Sequence, residues 1–572
     1  MPATNSASNI LSVIAALSSI SGAAPLEVDL GYVGVRGLRN ETTGVNSYLG
    51  IPFAAPPVGD LRWRAPVAIE SQNNYTKGQI LNASSHNVQC IQGTPQWSEA
   101  VPILTTALAS GGASIKSSED CLHLDIFTPS NPESVNLPVL LSIHGGGYTL
   151  GNGANAAAGS NFVNRSDGGM IFVTIQYRLG GYGFLSADAI EEDGAPNAGL
   201  LDVRAATEWV QRNIRAFGGD PSKITIWGGS AGGGAVANQL IMYGGQPSPP
   251  FRAAIAEYPW MQTYKNKTVL NAQYSDILSA SNCSTLTCLR SLSEEALTNA
   301  IDASYEIGYA QGLYAYGDFY YGPAVDGRII QDLLSRELEA GNFAKVPLIT
   351  DHTTFEGAGF SNFSTSTLQQ TNSKLYTLWP SAGSAFYRRL DQLYPVNSFT
   401  GSFFNNPFFN STIISFLSSS LEISGLSTNS IFWRAQAIYG DFIINCPTYQ
   451  LATAFSDAGL PVYKMMFNAG TQIHGASAAF LNSPAPQTQD PELAATMQDY
   501  WISFVKTMNP NGGNNVSSGV QRQTWPKYLG NGRNETSFSV LEVYGSDVSV
   551  KADEDTDGRC DFLLGHSEKI MN

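Results

Sequence analysis

The stretch from Phe217 to Asn238 constrains this chain more than any other. It reads Phe217-Gly-Gly-Asp-Pro-Ser-Lys-Ile-Thr-Ile-Trp-Gly-Gly-Ser-Ala-Gly-Gly-Gly-Ala-Val-Ala-Asn238. Ile224–Trp227 has the β-branched and aromatic composition of a short buried strand, and a helix is expected from Ala231 onward. Between them lies Gly228-Gly-Ser-Ala-Gly232, a G-x-S-x-G in the strand-to-helix setting that a nucleophile elbow requires. Such a turn lifts the Ser230 hydroxyl off the sheet edge in a strained backbone conformation. The positions two before and two after must then be nearly free of side chain, and Gly228 and Gly232 are. The helix behind the serine aims its free N–H groups at the same point, which suits an anionic intermediate.

The rest of the chain reads as a frame for this turn. Of 572 residues, 43% are hydrophobic, so a large core is available. Pro138–His144 and Met170–Tyr177 read as buried strands, and Val346–Thr350 and Val462–Phe467 as two more. Leu200, Val203, Ala206, Val210 and Ile214 fall on one helical face, and a late helix is marked by Asp490 as N-cap and Pro491 in its first turn. Strands alternating with helices predict an α/β fold with a large, mainly parallel sheet covered on both faces. Pro52, Pro56 and Pro57 argue against a central strand in Tyr48–Arg64. Residues 360–440 are dense in aromatics, among them Phe360, Phe363, Trp379, Phe403, Phe404, Phe408, Phe409, Phe416, Phe432 and Trp433. They read as a packed helical layer, some of it lining an apolar pocket. No repeat or long linker divides the chain, so residues 24–572 are expected to form one domain.

Charge and leader narrow the setting. Charged residues are 14% of the chain against about 25% in typical domains, and the net charge is −16 with no basic cluster. That excludes a nucleic-acid partner and disfavours an anionic membrane surface. The apolar run Ile10–Leu17 followed by Ser21-Gly-Ala23 predicts a secretory signal over residues 1–23, although no Lys or Arg precedes it. Six cysteines and sequons at Asn40, Asn74, Asn82, Asn164, Asn266, Asn282, Asn362, Asn410, Asn515 and Asn534 fit a secreted glycoprotein. No segment is long and apolar enough to span a bilayer.

A serine hydroxyl at neutral pH needs a base, and the base needs an orienting carboxylate. In a strand–elbow–helix sheet the order along the chain is nucleophile, acid, base. Only His352, His474 and His566 follow Ser230. His566 lies in the tail with no strand feeding it, and His352 adjoins the acid candidate. His474 stands in a turn beyond Val462–Phe467, where a loop histidine reaches an elbow, and is the expected base. Glu356, just past Val346–Thr350, is the expected acid. Asp326 is its rival, but Asp326-Gly327 is itself a turn signal. Gly146, Gly147 and Ala231 are the expected oxyanion donors, because two glycines and a helix start bring backbone N–H groups close. His144, ahead of the serine, reads as a structural hydrogen-bonder.

These residues together resemble the type-B carboxylesterase/lipase family of α/β-hydrolases, and within it the secreted fungal enzymes. Gly50-Ile-Pro-Phe-Ala-x-Pro-Pro-x-Gly-x-Leu-Arg62 is similar to the family's N-terminal block. Glu119-Asp-Cys-Leu122 and Phe217–Gly232 are similar to its two signatures, and His144–Gly147, Phe355–Gly357 and His474-Gly475 to its oxyanion, acid and histidine turns. The resemblance implies a Ser230–Glu356–His474 triad and disulfides Cys90–Cys121 and Cys283–Cys288. Cys446 and Cys560 then pair by elimination or stay free. Two departures stand out. The family often carries glutamate just before the serine, where this chain has Gly229, and an acidic residue soon after the histidine turn, where it has Ala476-Ser-Ala478.

The function expected is a secreted serine ester hydrolase for small to medium carboxylic esters, needing no metal or organic cofactor. The alternative is a lipase or sterol esterase with a mobile lid at a lipid interface. Its lid would be the loop 90–121, with Val101, Leu104 and Leu108 as an apolar stripe and Trp97 as its anchor. A non-catalytic adhesion protein on the same fold is the third possibility, disfavoured because all three triad residues are present.

Overall fold

The strands that carry the fold are apolar on successive residues because both of their faces are buried. In the computed structural model, which describes residues 26–86, 88–100, 115–154, 156–399, 429–512, 522–530 and 537–572, they form an eleven-stranded sheet. In chain order these are β1 (Leu38–Asn40), β2 (Val45–Pro52), β3 (His123–Pro129), β4 (Leu137–Ile143), β5 (Ile171–Ile175) and β6 (Gly219–Gly229). After them come β7 (Ala253–Glu257), β8 (Leu348–His352), β9 (Val462–Asn468), β10 (Ser539–Tyr544) and β11 (Asp547–Ala552). Their spatial order is β11-β10-β9-β8-β7-β6-β4-β5-β3-β2-β1. From β5 through β10 every pairing is parallel; β11 at one end and β3, β2 and β1 at the other run antiparallel.

Strand alternation sorts the residues between two apolar cores. Val139, Leu141 and Ile143 of β4 and Ile224 and Ile226 of β6 face one, and Leu140 and Trp227 face the other. Among the helices are α1 (Ala156–Arg165), α2 (Ala198–Asn213), α3 (Ala231–Gly245), α4 (Lys267–Ser281), α5 (Glu294–Ala310), α6 (Ser430–Gly440), α7 (Cys446–Asp457) and α8 (Pro491–Thr507). Leu200 and Val203 of α2, Leu240 of α3 and Phe455 of α7 cover the first face; Phe162 of α1 and Trp501 and Phe504 of α8 cover the second. Their starts follow from side-chain caps: Asn266, Ser293 and Asp490 accept from Val269, Ala296 and Leu493 N–H at 3.1, 3.2 and 3.0 Å. No helix among the described residues is long and apolar enough to cross a membrane.

One sequence expectation needs correction. Tyr48 to Pro52 belong to β2, which lies inside the sheet rather than outside it. Pro52 is tolerated because β1 pairs only with Val45–Ser47, which leaves the far side of β2 open at its end. Cys288 stands in a short helix, Leu286–Ser291, capped by Thr285. The lid-stripe residues Val101, Leu104 and Leu108 lie outside the described residues, as do Phe403, Phe404, Phe408, Phe409 and Phe416. Trp379 is packed by Phe386 and Phe442, and Phe432 by Phe363 and Trp433, as a helical layer requires.

All six cysteines are paired, Cys90–Cys121, Cys283–Cys288 and Cys446–Cys560. The N-terminal block is tied to the first disulfide by charge. Arg62 grips Glu119 through two bonds of 2.7 and 2.5 Å, and its third nitrogen reaches the carbonyls of Leu289, Arg290 and Leu292. Both side chains are buried. A buried pair that loses one partner leaves an uncompensated charge, at a cost of about 3–5 kcal/mol. Arg62→Met and Glu119→Leu are each expected to lower stability by that order, and the double variant by clearly less than their sum. Urea unfolding of the three variants checks this, and strict additivity would count against a specific pair.

Candidate functional site

Ser230 follows β6 directly and adopts φ 59° and ψ −129°, a left-handed conformation that an L-residue holds only under constraint. The constraint is close approach. A Cβ on Gly228 would lie 2.4 Å from the Gly232 carbonyl, and one on Gly232 would lie 2.1 Å from Ile143 O at the end of β4. The backbone on either side of the serine is also clamped: Ser230 N–H donates to Glu257 O at 3.2 Å, and Trp260 N–H donates to Ser230 O at 2.9 Å.

Neighbouring strand ends deliver its partners. Ligands and reacting groups collect at the carboxyl ends of parallel strands, and β4, β6, β7, β8 and β9 are consecutive neighbours in the sheet. Glu356 follows β8 and His474 follows β9. A bridge between Phe355 and Ile473, with Phe355 N–H on Gln472 O at 3.1 Å, ties their two turns together. His474 Nε2 lies 2.8 Å from Ser230 Oγ, and His474 Nδ1 lies 2.6 Å from Glu356 Oε2. Glu356 is fully buried, and its other oxygen accepts from Thr353 N–H at 2.6 Å.

The expected oxyanion donors stand close to the serine: a Cβ on Gly145, next to Gly146, would lie 2.9 Å from Ser230 Cβ. Gly146 and Gly147 have φ of 116° and 62° in the turn after β4, and Ala231 opens α3. Among the described residues no hydrogen bond occupies these three N–H groups. The site is walled by rings. Phe319 lies against Gly147, where a Cβ would be 2.3 Å from it. Phe360 and Trp260 lie 5.0 and 5.8 Å from the His474 ring, and Trp97 contacts both Phe319 and Phe360.

The other candidates go elsewhere. His352 ends β8 pointing away from the serine, 2.9 Å from Asp555. Asp555 and Asp553 are both bonded to buried Lys464. These three side chains could suggest a metal cluster, but the Lys464 ammonium already fills the cation position. His566 bonds Phe562 O within the last turns of the chain. Asp326 accepts from Arg328 and Ile329 N–H, as a turn aspartate does. His144 bonds Gly145 O and stacks on Tyr177, and burial pushes its pKa down to about 4. Seven sequon asparagines, Asn40, Asn74, Asn82, Asn164, Asn266, Asn282 and Asn362, are exposed; Asn410, Asn515 and Asn534 lie outside the described residues.

The family model described as "Carboxylesterase family" matches residues 24–556. The chain belongs to the carboxylesterase family. It is a carboxylic-ester hydrolase, and its substrates are small-molecule esters. Secreted lipase 1 of Botryotinia fuckeliana is 31% identical over 96% of this chain and 93% of its own length. Carboxylesterase patB of Aspergillus clavatus is 29% identical over 94% and 95%. The crystal structure of Aspergillus niger EstA superposes with a TM-score of 0.76 at 26% identity, over 96% of this chain and 99% of that one.

Sequence reasoning passed over the residues at the end of β7 and just beyond it, Glu257-Tyr-Pro-Trp260. No motif marks them, and only the parallel pairing of β6 with β7 brings them under the elbow of this carboxylesterase. Glu257 is buried and accepts from Trp227 Nε1 and, at 3.0 Å, from Ser477 Oγ. Burial raises its pKa from 4.5 to about 7, and burial with two neighbouring carboxylates holds Asp351 well above the usual range. Between pH 4.5 and about 7 Glu257 therefore holds more proton in the folded state than in the unfolded chain. Its contribution to stability falls as pH rises through that window. Glu257→Gln, which cannot ionise, is expected to show a shallower decline, with Asp351 supplying the remainder. Thermal midpoints of wild type and variant measured from pH 4.5 to 8 check this; parallel curves would contradict it.

Proposed function

We propose that this carboxylesterase cleaves small to medium esters through a Ser230–His474–Glu356 triad and an acyl-enzyme. The observation that carries the reading is the unbroken line of hydrogen bonds from Ser230 Oγ through the imidazole to Glu356, at 2.8 and 2.6 Å. Ser230 Oγ attacks the ester carbonyl carbon as His474 Nε2 takes its proton. Glu356 fixes the Nδ1–H tautomer and stabilises the imidazolium. The N–H groups of Gly146, Gly147 and Ala231 hold the tetrahedral oxyanion. His474 returns the proton to the departing alkoxide; water, activated by the same imidazole, then releases the acid and frees Ser230. Every proton has a donor and an acceptor in the triad, so the cycle needs no cofactor. The ring wall of Phe319, Phe360 and Trp260 around the serine supports a compact acyl group. Three disulfides, exposed sequons and a relative named as secreted support an extracellular enzyme with a cleaved leader.

The likeness to a secreted lipase favours a second reading, in which the enzyme acts on long-chain esters at a lipid surface. A p-nitrophenyl ester series from acetyl to palmitoyl separates the two. The esterase reading expects smooth saturation with a short-chain optimum, and a rate jump above the solubility limit of a long-chain ester would install the lipase reading. Ser230→Ala and His474→Ala are each expected to lower kcat by about 10⁴-fold or more. Phe319→Ala is expected to move the acyl optimum to longer chains with the triad unchanged. Full turnover by Ser230→Ala would sink the triad.

A further inference from the structure

The two departures from the family's pattern, Gly229 and the missing acid after the histidine turn, meet at one side chain. A Cβ on Gly229 would lie 2.3 Å from the Tyr258 hydroxyl and 2.6 Å from its ring, so Tyr258 fills the space that a side chain before the serine would take. The Tyr258 ring stands nearly perpendicular to the His474 imidazole, 5.1 Å away at 81°. Its hydroxyl faces Ser477. Ser477 stands three residues beyond His474 and donates to Glu257 at 3.0 Å. Tyr258 itself has φ 31°, an unfavourable value for a bulky residue, and its N–H is fixed by Asp351 Oδ1 at 2.8 Å. Such strain in a buried residue beside a reactive group marks a position that the surroundings enforce.

We propose that Tyr258 is the positioning residue of this esterase. Its ring holds the His474 imidazole toward Ser230, its hydroxyl lies beside the Ser477–Glu257 pair, and Gly229 is glycine in order to admit it. A phenol beside a serine hydroxyl then takes the place of a carboxylate on each side of the histidine turn. The ionisable groups facing the imidazole are Glu356 and Tyr258, with Glu257 and Asp351 behind the phenol. The base therefore works beside one carboxylate that contacts it, and the charge a glutamate at 229 would add is absent.

The proposal rests on the triad reading, and the tests keep the two apart. Hydrolysis of p-nitrophenyl acetate is compared in the full-length wild type and in Ser230→Ala, Tyr258→Phe and Ser477→Ala, with thermal midpoints alongside. Tyr258→Phe and Ser477→Ala are expected to lower kcat by about tenfold, with KM within about twofold and the midpoint nearly unchanged. Wild-type kcat in both variants, or losses that follow a fallen midpoint, would overturn the positioning role. A second arm exchanges the groups. Gly229→Glu alone is expected to lose about 100-fold, because glutamate and phenol claim one space. Gly229→Glu combined with Tyr258→Gly is expected to recover about tenfold of that loss. Its kcat/KM acid limb should shift to higher pH, since a carboxylate near His474 favours the imidazolium. A double variant no better than Gly229→Glu would count against the exchange. Turnover by Ser230→Ala overturns the triad reading and the proposal together, whereas an inert Ser230→Ala beside a fully active Tyr258→Phe overturns the proposal alone.

Discussion

The left-handed backbone at Ser230 is the constraint on which the rest depends. A serine at φ 59° is unfavourable by itself and persists only if its surroundings leave no other conformation. They do so through contacts without side chains: Gly228 against Gly232, Gly232 against the end of β4, and the serine's own N–H and C=O tied to Glu257 and Trp260. These contacts come from three strands, β4, β6 and β7, so the elbow cannot form before the centre of the sheet has assembled. The apolar alternation that buries β4 and β6 on both faces therefore has a chemical consequence, because it presses strand ends together tightly enough to hold a strained turn.

The partners arrive from the same edge, the acid after β8 and the base after β9. Adjacent strands lie about 4.8 Å apart, so these strands stand about 10 and 14 Å from β6 and their turns close the gap to the turn after β6. Reach alone does not fix a histidine between a serine and an acid. The Phe355–Ile473 bridge extends the pairing of β8 with β9 past their ends and carries Glu356 and His474 as one unit. The packing of α6 on the acid turn completes this: a Cβ on Gly357 would lie 2.0 Å from Gln436 O.

What the sequence revealed and what it hid divide along physical lines. Features fixed by local chemistry were legible: the strand before Ser230, the cap at Asp490, the turn role of Asp326, and the three residues Ser230, Glu356 and His474 that the structure brings together. Features that exist only through the sheet were not. Pro52 reads as a bar to a central strand until β1 is seen to end short of it. Tyr258 and Trp260 read as unremarkable aromatics after a strand, because their contacts with Gly229 and His474 span 29 and 214 residues of chain respectively. Phe319 gives no signal either, since the glycine it covers was already accounted for by its backbone. The buried Lys464 with Asp553 and Asp555 is of the same kind, assembled from β9 and the chain beyond β11.

Three carboxyl groups, Glu257, Asp351 and Glu356, crowd the strand ends beneath the elbow, and three negative charges could not share so small a buried volume. The structure divides them by hydrogen bonding. Glu356 accepts from a backbone N–H and from His474, one at each oxygen. Asp351 is pushed up by burial and by its two neighbours, and one of its oxygens has no partner among the described residues. Glu257 is raised by burial, against which the Trp227 and Ser477 bonds act only in part. In weakly acid solution Glu257 keeps its proton, and the shift of Asp351 runs the same way. An excess of buried acids, which would destabilise the fold if all were ionised, is eased by the raised pKa of the two groups that do not touch His474.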